Sequence, residues 1–247
     1  MRTQILTDGC CDFTASERMS PTFEQIPVTV VNGVVQFPTA QAYLEVMNPE
    51  AEEIYLVTAS AALSNQYEVA SQARRLFLRT APNCSVHVFN TRSAGVGELL
   101  TARRICQLQR SGYGFRQIVE RVEKEILTHR LFLLPVSPEG LRCQGLLPPK
   151  RLWEAQTGIY TMNLEGNVVR ATRAGSTRGA EKKLLQHLRQ CDAAGRTLLI
   201  SHCGCPERAR NLARMVQQEK KFSSILLTEC SVPVSLLLQT GGISLAF

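Results

Sequence analysis

Val57-Thr58-Ala59-Ser60-Ala61-Ala62-Leu63-Ser64-Asn65-Gln66-Tyr67-Glu68-Val69-Ala70 opens on the end of an apolar strand, breaks into a hydroxyl-rich turn and continues as a helix. The first amides of a helix have no intrahelical partner, and the helix dipole adds partial positive charge where they point. Ser60 and Ser64 add hydroxyl donors to that turn. At the carboxyl end of a strand in an open parallel sheet, such a turn lies where α/β folds place their ligands. The segment therefore reads as an anion seat at the edge of an α/β lobe; read alone, it is equally a capped helix start.

Outward from this turn, short apolar and β-branched runs alternate with amphipathic stretches, the pattern of parallel βα units. Gln4–Thr7, Val28–Val31, Ile54–Thr58 and Val86–Asn90 read as strands of a first lobe, residues 1–128. Helices are expected over 65–78, 97–109 and 114–128, the last with Ile118, Val122 and Ile126 at the spacing of one buried face. Asn32-Gly33 between two apolar runs signals a hairpin, because both central positions of a type I′ turn need positive φ. A second lobe, residues 129–247, is expected to hold a mixed sheet. It starts at Leu131–Leu134, continues through a hairpin at Gly158–Asn163 and Val168–Ala171, a basic helix over 177–190, a strand at Thr197–Ser201 and a helix over 206–218, and closes with strands at Ser224–Thr228 and Ser244–Phe247. The fold class is thus α/β, two lobes with a ligand site between them.

Composition narrows the function classes. A chain of 247 residues with 44% hydrophobic content can bury substantial cores. No apolar run approaches the roughly 20 residues that cross a bilayer, so no stable membrane insertion is expected and cytoplasmic residence is. Nine scattered cysteines, an odd number, fit reduced thiols better than a disulfide framework. His202-Cys203-Gly204-Cys205 lacks a second ligand pair at suitable spacing, so neither metal nor cofactor is expected. A net charge of +7 invites a nucleic-acid reading, but the cations are dispersed and five tyrosines and one tryptophan offer little base stacking. No nucleic-acid partner is expected.

Thr7-Asp8-Gly9-Cys10-Cys11-Asp12 follows the first strand, Thr39-Ala40-Gln41 follows the hairpin, and Gln239-Thr240-Gly241-Gly242 precedes the last strand. Together with Ser60, Leu63, Ser64 and Tyr67, these segments resemble the DegV family of bacterial fatty-acid-binding proteins across nearly the whole chain. Its opening motif is Thr-Asp-Ser-x-x-Asp, matched at Asp8 and Asp12 with Gly9 in place of serine. Its Arg-Gly-Gly-Arg-Ile stretch appears as Arg142-Cys143-Gln144-Gly145-Leu146 without the second arginine, and a few dozen residues are missing between Asn32 and Pro38. The resemblance is to a divergent, shortened member.

The resemblance implies a carrier that holds a long-chain fatty acid and presents its carboxyl group to a separate kinase. By motif position the carboxylate ligands are Thr39, Ser64 and Thr240, with Ser60 beside them and Gln239 where the family has histidine. A carboxylate accepts hydrogen bonds only, so short hydroxyls and helix-end amides suit it. Apolar walls are expected from Leu141, Leu146, Leu147, Leu152, Trp153, Ile159, Tyr160 and Met162. The basic run at Arg173, Arg178 and Lys182 is a candidate docking face for the kinase, or a solvated helix surface. Two other classes stay open: a DegV-like protein with another small ligand or none, and a basic regulatory or nucleic-acid-binding module. Independent catalysis is not expected. There is no Gly-x-Ser-x-Gly elbow, no histidine is placed to activate Ser60 or Ser64, and Gly95-x-Gly97 lacks the rest of a nucleotide signature.

Overall fold

The computed structural model describes residues 2–19, 23–32, 34–149 and 157–247. Its first sheet has four parallel strands, β1 (Thr3–Thr7), β2 (Phe23–Gln25), β5 (Glu53–Thr58) and β6 (Ser85–Asn90), in the order β2-β1-β5-β6. Every residue of β5 is buried, because helices cover both faces of the sheet and no alternation survives. On one face α2 (Ala40–Val46) and α3 (Gln66–Thr80) contribute Tyr43, Ala70, Ala73 and Phe77, joined by Met47 just after α2. On the other, α4 (Val96–Arg110) and α5 (Phe115–Ile126) pack Ala102, Ile105, Ile118, Val122 and Ile126 against Ile5, Tyr55 and Val57.

The hairpin pattern at Asn32 holds, with β3 (Thr29–Val31) antiparallel to β4 (Val34–Gln36) and Asn32 at φ 51°. The strand at Phe23–Gln25 is one that the sequence pattern did not mark. It takes an edge of the first sheet, and the hairpin stands apart with Val30, Val31 and Val34 exposed. An apolar run marks a strand without saying which strand it pairs with.

The second sheet is mixed, in the order β11-β10-β12-β7-β8-β9. Its strands are β7 (Leu131–Leu134), β8 (Thr157–Met162), β9 (Val168–Ala174), β10 (Thr197–His202), β11 (Ser224–Glu229) and β12 (Ile243–Ala246). Only β10 and β11 run parallel; the last strand of the chain is inserted antiparallel between β10 and β7. Alternation sorts its residues between two faces. Phe132, Leu134, Ile159, Leu198 and Ile200 pack under α7 (Thr177–Gln190) and α8 (Pro206–Gln218). Leu131, Leu133, Tyr160, Leu199 and Ala246 face the other way, onto Phe13, Ala94, Val96 and Leu99 of the first lobe. α6 (Glu139–Cys143) and α9 (Val232–Leu238) close this inter-lobe layer with Leu141, Val234 and Leu238.

Two polar contacts pin the lobes on either side of that layer. Asp12, just beyond β1, accepts from Ser201 Oγ at 2.7 Å and from the Ser231 amide at 2.6 Å. Ser231 Oγ answers by donating to the Cys10 carbonyl at 2.8 Å, and Thr228 Oγ1 donates to the Phe13 carbonyl at 2.6 Å. The second contact uses the turn between β8 and β9: Ser60 Oγ donates to the Gly166 carbonyl at 2.8 Å and Arg92 to the Leu164 carbonyl at 2.6 Å. Gly166 has φ 82°, and a Cβ there would lie 2.2 Å from Ser60 Oγ.

Replacing Asp12 by Asn keeps the shape but turns an amide N–H toward a buried donor. Urea unfolding at pH 7 is expected to show a loss of about 2–3 kcal/mol, the scale of hydrogen bonds to a charged group. A loss no larger than that of a surface substitution would show that the contact does not hold the lobes.

Candidate functional site

The carboxyl ends of β1, β5, β10 and β11 converge where Asp12 crosses between the lobes, and the residues singled out by sequence lie on the loops around that junction. Thr39 is the exposed residue preceding α2, with extended backbone and no capping bond of its own, so its hydroxyl is uncommitted. Gln66 brings it to the Ser60–Ser64 turn, donating to the Pro38 carbonyl at 3.3 Å while accepting from Tyr43 Oη at 3.1 Å. Ser64 Oγ accepts from the Gln66 amide at 3.4 Å, which leaves its hydroxyl proton to donate elsewhere. Thr39 and Ser64 thus stand together on the first lobe.

Ser60 does not share that role. It is fully buried, its proton is given to Gly166, and its oxygen faces the Ala62 amide at 3.3 Å. A hydroxyl with one proton cannot also donate to a ligand, so its part is to seat the β8–β9 turn.

Gln239 and Thr240 lie on the second lobe, both exposed, with Gln239 at φ 61° where α9 ends. The loop is pinned from beneath: the Cys203 amide donates to the Gly242 carbonyl at 2.9 Å and the Gly241 amide to the Cys203 carbonyl at 2.7 Å. Arg208 of α8 also donates to the Gly241 carbonyl while pairing with Glu181 at 2.6 Å. Sequence reading missed Arg208 and Gln66. Arg208 reaches across 33 positions of chain from a helix whose pattern signals only amphipathicity, and Gln66 sits where the family motif has a different residue.

Both loops border one apolar layer. Leu63, beside Ser64, and Leu238, beside Gln239, belong to the same inter-lobe cluster as Leu141, Leu146, Leu147, Tyr160 and Met162. Ile159 is the exception among the expected wall residues; strand alternation turns it to the opposite face, under α7. Leu152 and Trp153 lie outside the described residues. Arg173, Arg178 and Lys182 are exposed at the end of β9 and the start of α7. A groove of about 1060 Å³ opens at the far end of the second sheet, lined among others by Arg103, Arg104, Arg110, Arg196 and Glu17. Its charged lining differs from an alkyl slot, and none of the candidate carboxylate ligands reaches it.

Beneath the site lies a buried acid pair. Asp8 accepts from the amides of Cys10 and Ala59, both at 2.8 Å, so it is the member held as carboxylate. Glu98 accepts from the Gly95 amide through Oε1, while its Oε2 has no donor facing it and lies toward Asp8. Burial and the neighbouring Asp8 charge hold the Glu98 carboxyl well above the usual range, protonated and able to donate to Asp8. Burial also raises Asp12 to about 6. Asp8, Cys10 and Glu98 offer ligand atoms within 4.8 Å of one another and could hold a metal ion. Gly95-x-Gly97, a fragment of a phosphate-loop pattern, proves to be a packing device: a Cβ at Gly95 would meet Asp12 Oδ2 at 2.4 Å, and one at Gly97 would meet Ser93 Oγ at 1.8 Å.

The DegV family model, described as "Uncharacterised protein, DegV family", matches residues 35–247. The chain belongs to the DegV family. A DegV domain-containing protein of Streptococcus gordonii is 22% identical over 284 positions, covering 100% of this chain and 99% of its own. Among solved structures, a DegV family protein of Ruminococcus gnavus with vaccenic acid superposes at TM-score 0.91 with 24% identity, covering 99% of both chains. The Streptococcus pneumoniae fatty acid kinase B3 protein loaded with linoleic acid superposes at 0.87 with 20% identity, covering 100% of this chain and 99% of its own. The two-lobed α/β architecture of this DegV protein is therefore that of its relatives, and among the described residues no helix is long and apolar enough to cross a membrane.

The acid pair fixes a sign for the pH dependence. A carboxyl whose folded pKa is raised stabilises the fold fully below its unfolded pKa, near 4, and loses that contribution as pH climbs to the folded value. Thermal melts should therefore show falling stability from pH 4 through 6, the Asp12 window, and on upward as Glu98 is forced to ionise. Glu98→Gln, permanently neutral and still able to donate to Asp8, is expected to stay within about 1 kcal/mol of wild type at pH 5 and to flatten the decline above it. Equal loss at every pH would show that Glu98 is ionised in the fold.

Proposed function

We propose that this DegV protein is a non-catalytic carrier of a long-chain fatty acid, holding the acyl chain in the inter-lobe apolar layer and the carboxylate between the Thr39/Ser64 and Gln239/Thr240 loops. One observation carries the reading: Leu238, the neighbour of Gln239, lies in a buried cluster that both lobes contribute to, and Leu63, the neighbour of Ser64, is partly buried against that same cluster. A ligand with an apolar tail and a small anionic head matches that arrangement. The vaccenic and linoleic acids of its structural neighbours support it.

The tail dominates the energetics, since burying each methylene is worth about 0.8 kcal/mol. The head is held by neutral donors, with glutamine at the position where the family resemblance places histidine. Ser64→Ala and Thr240→Ala should each weaken the affinity for a long-chain fatty acid roughly tenfold, the cost of one hydrogen bond to a charged acceptor, without lowering thermal stability. Unchanged affinity in both variants would remove the carboxylate assignment.

The B3 protein of Streptococcus pneumoniae, named as part of a fatty acid kinase, supports a further step in which the bound carboxyl group is presented to such a kinase. Arg173, Arg178 and Lys182 form an exposed basic face suited to an acidic surface on it. Reversing charge at Arg178 and Lys182 should slow association with a bacterial fatty acid kinase at low salt and lose its effect at high salt. Association that is unaltered at low salt would leave these residues a solvated helix face.

A further inference from the structure

β10 and β11 run parallel in register as far as the His202 and Glu229 pair, and the next residue on each strand is a cysteine. The ladder continues that one step, since the Cys230 amide donates to the His202 carbonyl at 3.0 Å. Neighbouring strands lie roughly 5 Å apart, inside the Cα separation of about 4.4–6.8 Å that a disulfide spans. The two thiols are close enough to bias each other's ionisation, and Cys230 Sγ lies 3.3 Å from Ser201 Oγ. Cys203 is buried beneath the Gln239–Gly242 loop, whereas Cys230 is partly exposed and gives a reactant access. We propose that Cys203 and Cys230 are a redox modification site, forming a reversible disulfide at the lobe junction on reaction with a hydroperoxide.

The chemistry closes within the pair. The Cys203 sulfur attacks the hydroperoxide O–O bond and takes one oxygen as a sulfenic acid, the peroxide leaving as its alcohol, or as water when it is hydrogen peroxide. The Cys230 sulfur then attacks the sulfenic sulfur and expels water, so both thiol hydrogens leave in the products and the peroxide is the species reduced. Hydrogen bonds from Cys230 and Ser235 favour the thiolate on Cys203 and lower its pKa, which makes it the attacking sulfur. The remaining thiols are placed differently. Burial, with the Asp8 and Asp12 carboxylates nearby, pushes the Cys10 and Cys11 thiols up, and the Cys205 thiol, also raised by burial, points at the Gly242 carbonyl.

The bond would act where the site is assembled. The Cys203 backbone pins Gly241 and Gly242, and the residue after Cys230 is Ser231, whose amide grips Asp12. A disulfide between them would fix the Gln239–Thr240 loop to the inter-lobe contact. The proposal does not depend on which ligand, if any, the protein carries.

The test is peroxide treatment of the full chain in its native state, followed by alkylation of residual thiols, digestion and mass spectrometry. The expected product is a peptide pair cross-linked through Cys203 and Cys230, two hydrogens lighter and released by dithiothreitol. Cys205→Ser should keep it, and Cys230→Ser should leave Cys203 as a sulfenic acid trapped by dimedone. Finding both cysteines alkylated while exposed Cys143 is oxidised, or Cys203 joined to Cys205 instead, would overturn the proposal.

Discussion

A single carboxylate, that of Asp12, organises the junction on which the rest of the molecule depends. It leaves the carboxyl end of one sheet and is received by a serine hydroxyl and a backbone amide at the carboxyl ends of two strands in the other. A charge with no solvent exposure is tolerable only when its acceptor sites are met by donors, and that requirement fixes how the two lobes approach. Gly95 is part of the same constraint, because any side chain there would occupy the space of the carboxylate. The Ser60 and Arg92 grip on the β8–β9 turn supplies a second, independent contact, so the apolar layer between the lobes is bounded on two sides.

This arrangement divides labour among residues that look alike in sequence. Ser60 and Ser64 are four positions apart in one turn, yet one spends its proton on the opposite lobe and the other serves as acceptor for the Gln66 amide. Burial beside Asp8 holds Glu98 protonated beneath the site, whereas at Asp12 burial raises the carboxyl only to about 6 because Ser231 and Ser201 donate to it. In each case the partner decides the role, through the direction in which a proton can be given.

The alternating strand and helix plan was legible because burial on both faces writes continuous apolar runs, as in Ile54–Thr58, and burial on one face writes a spacing, as in Ile118, Val122 and Ile126. Pairing was not. Phe23–Gln25, too short and polar to read as a strand, is set at the edge of the first sheet by its pairing with β1. The inter-lobe role of Ser60 and the grip of Asp12 were hidden, the partners of Asp12 lying 189 and 219 positions away. Arg208 was invisible for the same reason, being one cation among 28 lysines and arginines until the fold brings it beneath Gly241.

A fatty acid carrying a photoreactive diazirine near its methyl end tests the central claim, that an alkyl chain enters the layer between the lobes with its head group at the two donor loops. After irradiation and digestion of the loaded protein, the label should fall on Leu147, Tyr160, Met162 and their neighbours in that layer. A label confined to the exposed valines of the β3–β4 hairpin or to the charged groove would contradict it.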